Sequence, residues 1–102
     1  MKGRRKRYLR FFLHRDGSPL NGKQVTTEIR RNLLSLYGEV AVADSRLYLS
    51  EYDEDSGVGI LQCNAAMLEK VITSAVLIES IEKTQVSFEP KKTSGTIKGI
   101  KT

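Results

Sequence analysis

The stretch RYLRFFLH, at Arg7–His14, decides the fold. Its bulky side chains fall on both faces of an extended chain, with one alternating set formed by Leu9, Phe11 and Leu13 and the other by Tyr8, Arg10, Phe12 and His14. Large residues on both faces are typical of a strand inside a sheet. The stretch therefore predicts a central β-strand, ended by the turn-forming residues Asp16-Gly17-Ser18-Pro19.

A helix is predicted to follow this turn. Asn21 and Gln24 have the spacing of a capping box. One helical face is marked by apolar residues three or four positions apart, namely Val25, Ile29, Leu33 and Leu36. Gly38 stands where the end of a helix favours a residue that can adopt a left-handed backbone.

The segment Glu39–Tyr52 predicts one long strand, because valine and alanine alternate in its first half and leucine alternates with larger polar residues in its second half. A bulge near Asp44-Ser45 is compatible with this length. The polar run Asp53–Gly57 predicts a turn, and Val58–Cys63 predicts a third strand. The two strands are expected to form a hairpin.

Asn64 can cap a second helix, whose buried stripe is predicted at Leu68, Val71, Ile72, Ala75 and Ile78 or Glu79. Val86 and Phe88 mark a fourth strand that is expected to end at Pro90. The order is β-α-β-β-α-β, which predicts a ferredoxin-like α/β fold, an α+β sandwich similar to RNA-recognition domains, with an antiparallel sheet and two helices on one face. A chain of 102 residues is long enough for one core, so residues 1–102 are expected to form a single domain.

Positive charge is segregated to the two ends of the chain. Positions 1–15 hold seven Lys or Arg residues and positions 90–102 hold four, without an acidic residue in either segment. In the predicted topology the first and last strands are antiparallel neighbours, so basic tails at 1–7 and 90–102 converge. The predicted RNA-binding patch consists of Arg4, Arg5, Lys6, Arg7, Arg10, Lys91, Lys92, Lys98 and Lys101. The alternative is that both ends only solubilise the protein.

The third strand lacks the aromatic residues on which RNA-recognition domains stack bases. Recognition through phosphates and RNA shape is therefore favoured over base readout. Tyr8 and Phe12 could still stack bases from the first strand alone. We favour instead a role for aromatic and apolar residues of the open sheet face in a protein interface, with Tyr8, Phe12, Tyr48 and Leu61 as its candidates.

No catalytic constellation or metal site is predicted for this chain. Asp53-Glu54-Asp55 lacks the ligand spacing of a calcium loop, and His14 has no identifiable partner for acid-base chemistry. Cys63 is expected to be a buried thiol, with a reactive thiolate at the helix start as the alternative. The longest uncharged run near the middle, Val71–Ile78, is too short to span a membrane, and a reducing cytoplasm is the expected location.

Three motifs carry a resemblance to a known family: Lys6-Arg7-Tyr8-Leu9, Gly59-Ile60-Leu61-Gln62-Cys63 and Ser94-Gly95-Thr96-Ile97-Lys98. In order and spacing they resemble the archaeal ribonuclease P protein component 2 family over nearly the whole chain. The resemblance implies a subunit of the ribonucleoprotein endonuclease that removes 5′ leaders from precursor tRNA, a hydrolysis performed by the RNA subunit with its bound Mg²⁺. It also implies ribonuclease P RNA and protein component 3 as partners, with precursor tRNA contacted indirectly. Self-association is compatible with it, and no cofactor is implied for the chain itself.

Two other functions fit the same fold. A stand-alone or ribosome-associated RNA-binding domain would carry the same basic ends without an obligate protein partner. A small phosphatase related to acylphosphatases would need an anion loop after the first strand, where this chain has Arg15-Asp16-Gly17-Ser18-Pro19. The acidic Asp16 in that loop disfavours phosphate binding.

Overall fold

Strand β1, Lys6–Asp16, lies in the middle of the sheet, as the RYLRFFLH stretch predicts. The structure is a computed structural model and describes residues 5–101. The other elements, in chain order, are α1 Gly22–Tyr37, α2 Glu39–Ser45, β2 Tyr48–Tyr52, β3 Val58–Asn64, the 3₁₀ turn Ala65–Met67, α3 Leu68–Val76, β4 Ser80–Ile81, β5 Thr84–Ser94 and α4 Ile97–Lys101.

The sheet has the strand order β2-β3-β1-β5-β4, and every neighbouring pair is antiparallel. The predicted α+β class is confirmed, and residues 5–101 form five strands and four α-helices where four strands and two helices were expected. β1 pairs with β3 on one side and with β5 on the other. The first and last long strands are therefore antiparallel neighbours, as the predicted topology requires.

One face of the sheet forms the core. Leu9, Phe11 and Leu13 are at most 2% exposed and pack with the buried faces of α1 and α3. The two helices are also joined by a hydrogen bond, in which the Asn32 amide nitrogen donates to the Ser74 carbonyl oxygen at 2.6 Å. Burial of this apolar surface is the main favourable contribution to folding. We call the opposite side of the sheet, away from α1 and α3, the open face.

The predicted start of the first helix is confirmed, whereas Asn64 caps the 3₁₀ turn before the second helix and not α3 itself. Asn21 and Gln24 form a reciprocal capping box at the start of α1, with hydrogen bonds of 2.8 and 2.9 Å. Asn64 accepts a hydrogen bond from the Ala66 backbone at the 3₁₀ turn that leads into α3. Gly38, at φ 93°, ends α1 with the positive φ that the sequence predicts there. Leu36 is an exception to the predicted buried stripe, because it is 46% exposed.

The predicted long strand over Glu39–Tyr52 is wrong in its first half, which forms α2. Alternating valine and alanine suggested an extended chain, but Val40 is 73% exposed while Ala41 and Ser45, four residues apart, are buried. Spacing by four is the helical period, and alanine is the strongest helix former. The irregularity expected near Asp44-Ser45 occurs instead within β2, where the register shifts between Leu49 and Glu51.

The last long strand continues through Pro90 instead of ending there. A proline fits within β5 because β4 pairs only with Thr84 and Gln85, which leaves that edge of β5 without a strand partner at Pro90. Proline is accepted at such edges and at bulges because it has no backbone N–H to donate. The pairing of β1 with β5 shifts register at this point, between Arg10 and Phe11.

Two further elements were not predicted. β4 and β5 form a hairpin whose two turn residues, Glu82 and Lys83, both have positive φ, at 50° and 71°. The last segment, which belongs to the predicted basic tail at 90–102, forms the short helix α4, and Ile100 on it is fully buried. None of the helices formed by residues 5–101 has the length and apolar content needed to cross a bilayer.

A stack of aromatic rings on the core face requires a glycine at position 59. The Phe11 ring lies 4.6 Å from that of Phe88 and 6.1 Å from that of Tyr52, centroid to centroid, and all three are nearly parallel. Gly59 pairs with both Phe11 and Tyr52 across the sheet. A Cβ atom there would lie 2.6 Å from Phe11 and 2.9 Å from Tyr52, closer than atoms can pack.

We expect the substitution Gly59→Ala to lower the free energy of unfolding by about 1–3 kcal/mol, because the added methyl group must displace two packed rings. Urea denaturation measures this change. Gly95→Ala is the matched control, since a Cβ there meets only the end of the Arg7 side chain at 3.9 Å. Equal stability of the two variants would contradict the role assigned to Gly59.

Candidate nucleic-acid interface

The open face is formed by the β1 residues that alternate with the core set. Their side chains are Lys6, Tyr8, Arg10, Phe12 and His14, which are exposed or half-buried. The alternation of a strand places these residues together, so the stretch that builds the core also builds a face with basic and aromatic character.

The most concentrated positive charge lies where β1 and β5 pair. Arg10 and Lys92 are directly opposite each other, and Lys91 occupies the adjacent register shift. These three cations line a cavity of about 380 Å³ together with Phe12 and Val58. Two cations directly opposite on neighbouring strands can approach the same phosphate, which makes the pair a candidate phosphate site.

Glu89 is an acidic group beside these cations, and it pairs across the sheet with Phe12. Its carboxylate lies 2.7 Å from the His14 Nε2 atom and 3.3 Å from the Lys91 Nζ atom. The hydrogen bond with His14, followed by that with Lys91, holds the pKa of Glu89 below its ordinary value. The carboxylate therefore stays charged and fixes the position of Lys91 beside the cavity.

A second basic cluster lies at the beginning of β1. Arg5, Lys6 and Arg46 line a cavity of about 180 Å³ with Gln62 and Asn64 of β3. Arg46 was missed from the sequence, because it falls within the segment predicted as a strand. It instead ends α2 in a left-handed conformation, at φ 48°. The signal available in the sequence was its charge alone, in a region that is otherwise acidic.

The predicted basic patch is thus divided by the fold. Arg7 lies on the helix side, in a cavity lined also by Glu69 and Lys70. Lys98 and Lys101 are exposed on α4, and Lys101 forms an ion pair with Glu51 of β2. Arg4 lies outside the described residues. The structure brings together Arg10, Lys91 and Lys92 in one cluster and Arg5 and Lys6 in another.

The predicted protein-interface residues are also divided. Tyr8, Phe12 and Tyr48 lie on the open face, and Tyr48 on the edge strand β2 is 59% exposed. The placement of Leu61 there is wrong, because it pairs with Leu9 on the core face and is only 1% exposed. The sequence could not decide which alternating set of β3 faces the helices, since both sets contain apolar residues.

Two alternative sites have local structural explanations. The acidic run at Asp53–Asp55 forms the exposed turn between β2 and β3, in which the Asp53 side chain accepts a hydrogen bond from the Asp55 backbone at 3.0 Å. The loop compared with the anion loop of acylphosphatases begins at Arg15, whose guanidinium donates to the Asp55 carbonyl oxygen at 3.2 Å. Arg15 is therefore bound to this turn.

The geometry defines an α+β domain whose antiparallel sheet packs α1 and α3 on one face and, on the other, carries clustered cations beside the short helix α4, whose Ile100 lines a cavity with Arg10 and Ile60. The chain belongs to the Rpp14/Pop5 family, whose sequence pattern matches residues 7–102. The resemblance to ribonuclease P protein component 2 that three sequence motifs indicate is confirmed.

Individual relatives agree with this assignment. The chain is 28% identical over 97 residues to ribonuclease P protein component 2 of Pyrococcus furiosus, in an alignment that covers 95% of this chain and 80% of that protein. It is 26% identical over 98 residues to the component of the same name from Saccharolobus islandicus, covering 96% of this chain and 68% of that protein. Its fold is similar to a chain in the cryo-EM structure of yeast ribonuclease MRP, with a TM-score of 0.73 and 10% identity over 94% of this chain and 78% of that one.

Cys63 lies in β3 next to the start of the 3₁₀ turn and is only 2% exposed. Burial raises the pKa of its thiol to about 11, since an apolar surrounding disfavours the charged thiolate. The expected buried thiol thus agrees with the structure, and a reactive thiolate does not.

We expect the Cys63 thiol to react with a disulfide reagent at pH 8 at least about 100-fold more slowly than free cysteine, because only the thiolate attacks. Absorbance of the released thiol measures the rate. Unfolding in urea should restore ordinary reactivity, which serves as the control. A rate in the folded protein within about tenfold of free cysteine would contradict this assignment.

Proposed function

We infer that this chain is a protein subunit of ribonuclease P, which binds and supports the RNA that removes 5′ leaders from precursor tRNA. Membership of the Rpp14/Pop5 family and the similarity to ribonuclease P protein component 2 support this function. The structural observation that supports RNA contact most directly is the pair of cations Arg10 and Lys92, opposed on the open face.

We propose that contact with the RNA is made mainly through phosphates. Arg10, Lys91 and Lys92 form one group of cations, and Arg5, Lys6 and Arg46 form another at the beginning of β1. Two separate groups can contact successive parts of an RNA backbone. Such contacts hold an RNA in register and carry no direct sequence information. The protein would thereby stabilise a folded arrangement of the RNA.

In this proposal the chemistry belongs to the RNA subunit and its Mg²⁺, which supplies the activated water. The chain contributes cations that reduce phosphate repulsion where the RNA folds closely on itself.

Ribonuclease P protein component 3 is the proposed protein partner. The exposed Tyr48 on the edge strand β2 supports an interface there, because amphipathic aromatic residues and open strand edges are common at protein contacts. We propose the cytoplasm as its location.

We further propose that the centre of the fold is ferredoxin-like. The elements β1, α1, β2, β3, α3 and β5 follow the β-α-β-β-α-β order, and the sheet order β2-β3-β1-β5 agrees with it. In this description α2, β4 and α4 are additions to the central fold.

Replacing Arg10 and Lys92 together by glutamine should lower the slope of log affinity against log salt concentration by about one to two, because each lost phosphate contact releases about one counterion fewer. Titration of a structured ribonuclease P RNA at several salt concentrations measures the slope. The matched control replaces Lys23 on α1 and Lys83 in the β4–β5 turn. If both double variants keep the wild-type slope, the proposed phosphate contacts are absent.

Reconstitution tests the assembly itself. Cleavage of the 5′ leader of precursor tRNA should require the RNA subunit and increase when this chain and component 3 are added together, because the proteins stabilise the RNA fold. The rate of leader release measures the effect, and a mixture of RNA with component 3 alone is the control. The proposal fails if the chain leaves that rate unchanged or if the proteins cleave the substrate without RNA.

A further inference from the structure

We propose that Phe12 is the stacking surface for a single unpaired nucleobase, whose adjoining phosphate lies against Arg10 and Lys92. The proposal rests on the proposed function, since it names the part of an RNA that the open face would bind. It also assigns Phe12 to RNA instead of the protein interface for which the sequence favoured it.

Phe12 is the aromatic residue of the open face that lines the same cavity as the concentrated charge. It lies between Val58 of β3 and Glu89 of β5 in the pairing of the sheet, two positions from Arg10 on the same face of β1. Its ring borders the cavity of about 380 Å³ that Arg10, Lys91 and Lys92 also line. A volume of this size is in the range of pockets that enclose small ligands and accommodates one nucleoside.

The charges around the ring orient the nucleotide. Glu89, directly across from Phe12, would repel a phosphate but can accept a hydrogen bond from the amino group of a base. Arg10 and Lys92 are the next pair along the same face and attract a phosphate. Positions two apart on a strand are separated by about 7 Å, so the base and its phosphate can bind side by side.

The same geometry favours an unpaired base over a duplex. Phe12 is half-buried, and its ring is supported by the His14 ring at a centroid distance of 4.2 Å, with the two planes tilted by 52°. A recessed ring can be reached by a base that has left its stack, whereas bases within a helix are already stacked on each other. Proteins commonly bind single-stranded nucleic acids by stacking the bases on aromatic rings beside a cationic groove, with little dependence on sequence.

A protein partner fits this position less well. One ring is surrounded here by Arg10, Lys91 and Lys92, together with the carboxylate of Glu89. Lysine and glutamate are depleted at the centres of protein interfaces, where desolvating their charges is costly. Tyr48 is exposed on the edge strand, away from these charged groups, so burying it would not require them to be desolvated. It remains the proposed protein contact.

The test uses a nine-nucleotide RNA with 2-aminopurine at its centre, both single-stranded and annealed to its complement. We expect the wild-type protein to quench 2-aminopurine fluorescence in the single strand. Phe12→Leu should weaken binding of the single strand about 10- to 100-fold and remove the quenching, with little change in duplex affinity. Phe12→Tyr should retain both. Tyr37→Leu, which removes an exposed aromatic residue of α1, is the matched control and should bind RNA as wild type does.

The outcomes separate this proposal from the function on which it rests. Wild-type protein that binds neither RNA form would overturn both. Salt-dependent binding by wild type with unchanged affinity and quenching in Phe12→Leu would overturn only the stacking. Loss of component 3 binding in that variant, with RNA binding intact, would likewise overturn it and assign the ring to a protein contact. Should Phe12→Leu fail to fold, the quenching by wild type and by Phe12→Tyr still decides, since absence of quenching overturns the proposal.

Discussion

The antiparallel pairing of β1 with β5 is the constraint on which the other features of the structure depend. β1 is near the beginning of the chain and β5 near its end, so their hydrogen bonds join segments that are distant in sequence. This pairing makes β1 a central strand and thereby gives the core its Leu9, Phe11 and Leu13 side chains. The same pairing places Arg10 beside Lys92 on the other face. The core and the candidate site thus lie on opposite faces of the same pair of strands, β1 and β5.

The two faces of the same strands have different roles. The core face stacks Phe11 with Tyr52 and Phe88 and requires Gly59 beneath the rings. Such close packing holds the strand positions firmly, because interiors are nearly as dense as organic crystals. The open face carries the opposed cations Arg10 and Lys92 at the same strand pair. The rigid core on one side therefore fixes the spacing of these charges on the other side.

Ion pairs with glutamate side chains divide the positive charge of the surface into separate clusters. Glu89 contacts His14 and Lys91, and Glu51 pairs with Lys101 on α4. The net charge of +5 is therefore not spread evenly over the sheet, and the cluster around Arg10 is distinct from the one around Arg46. Discrete groups of cations favour contacts at particular phosphates over diffuse attraction, since screening weakens the influence of a charge beyond about 8–10 Å.

The sequence alone determined the central strand, the capped start of α1, the cap at Asn64 and the family, because alternation, a capping box and short motifs are local signals that each act within a few residues. It could not determine α2, since alternating valine and alanine suits a strand and a short helix alike until the burial of Ala41 and Ser45 is known. The sequence also could not show which face of the sheet the Leu61 side chain lies on. Nor could it show that Arg46 and Lys6 line the same cavity. Only the tertiary structure decided these, because burial and charge clustering depend on which distant segments pair.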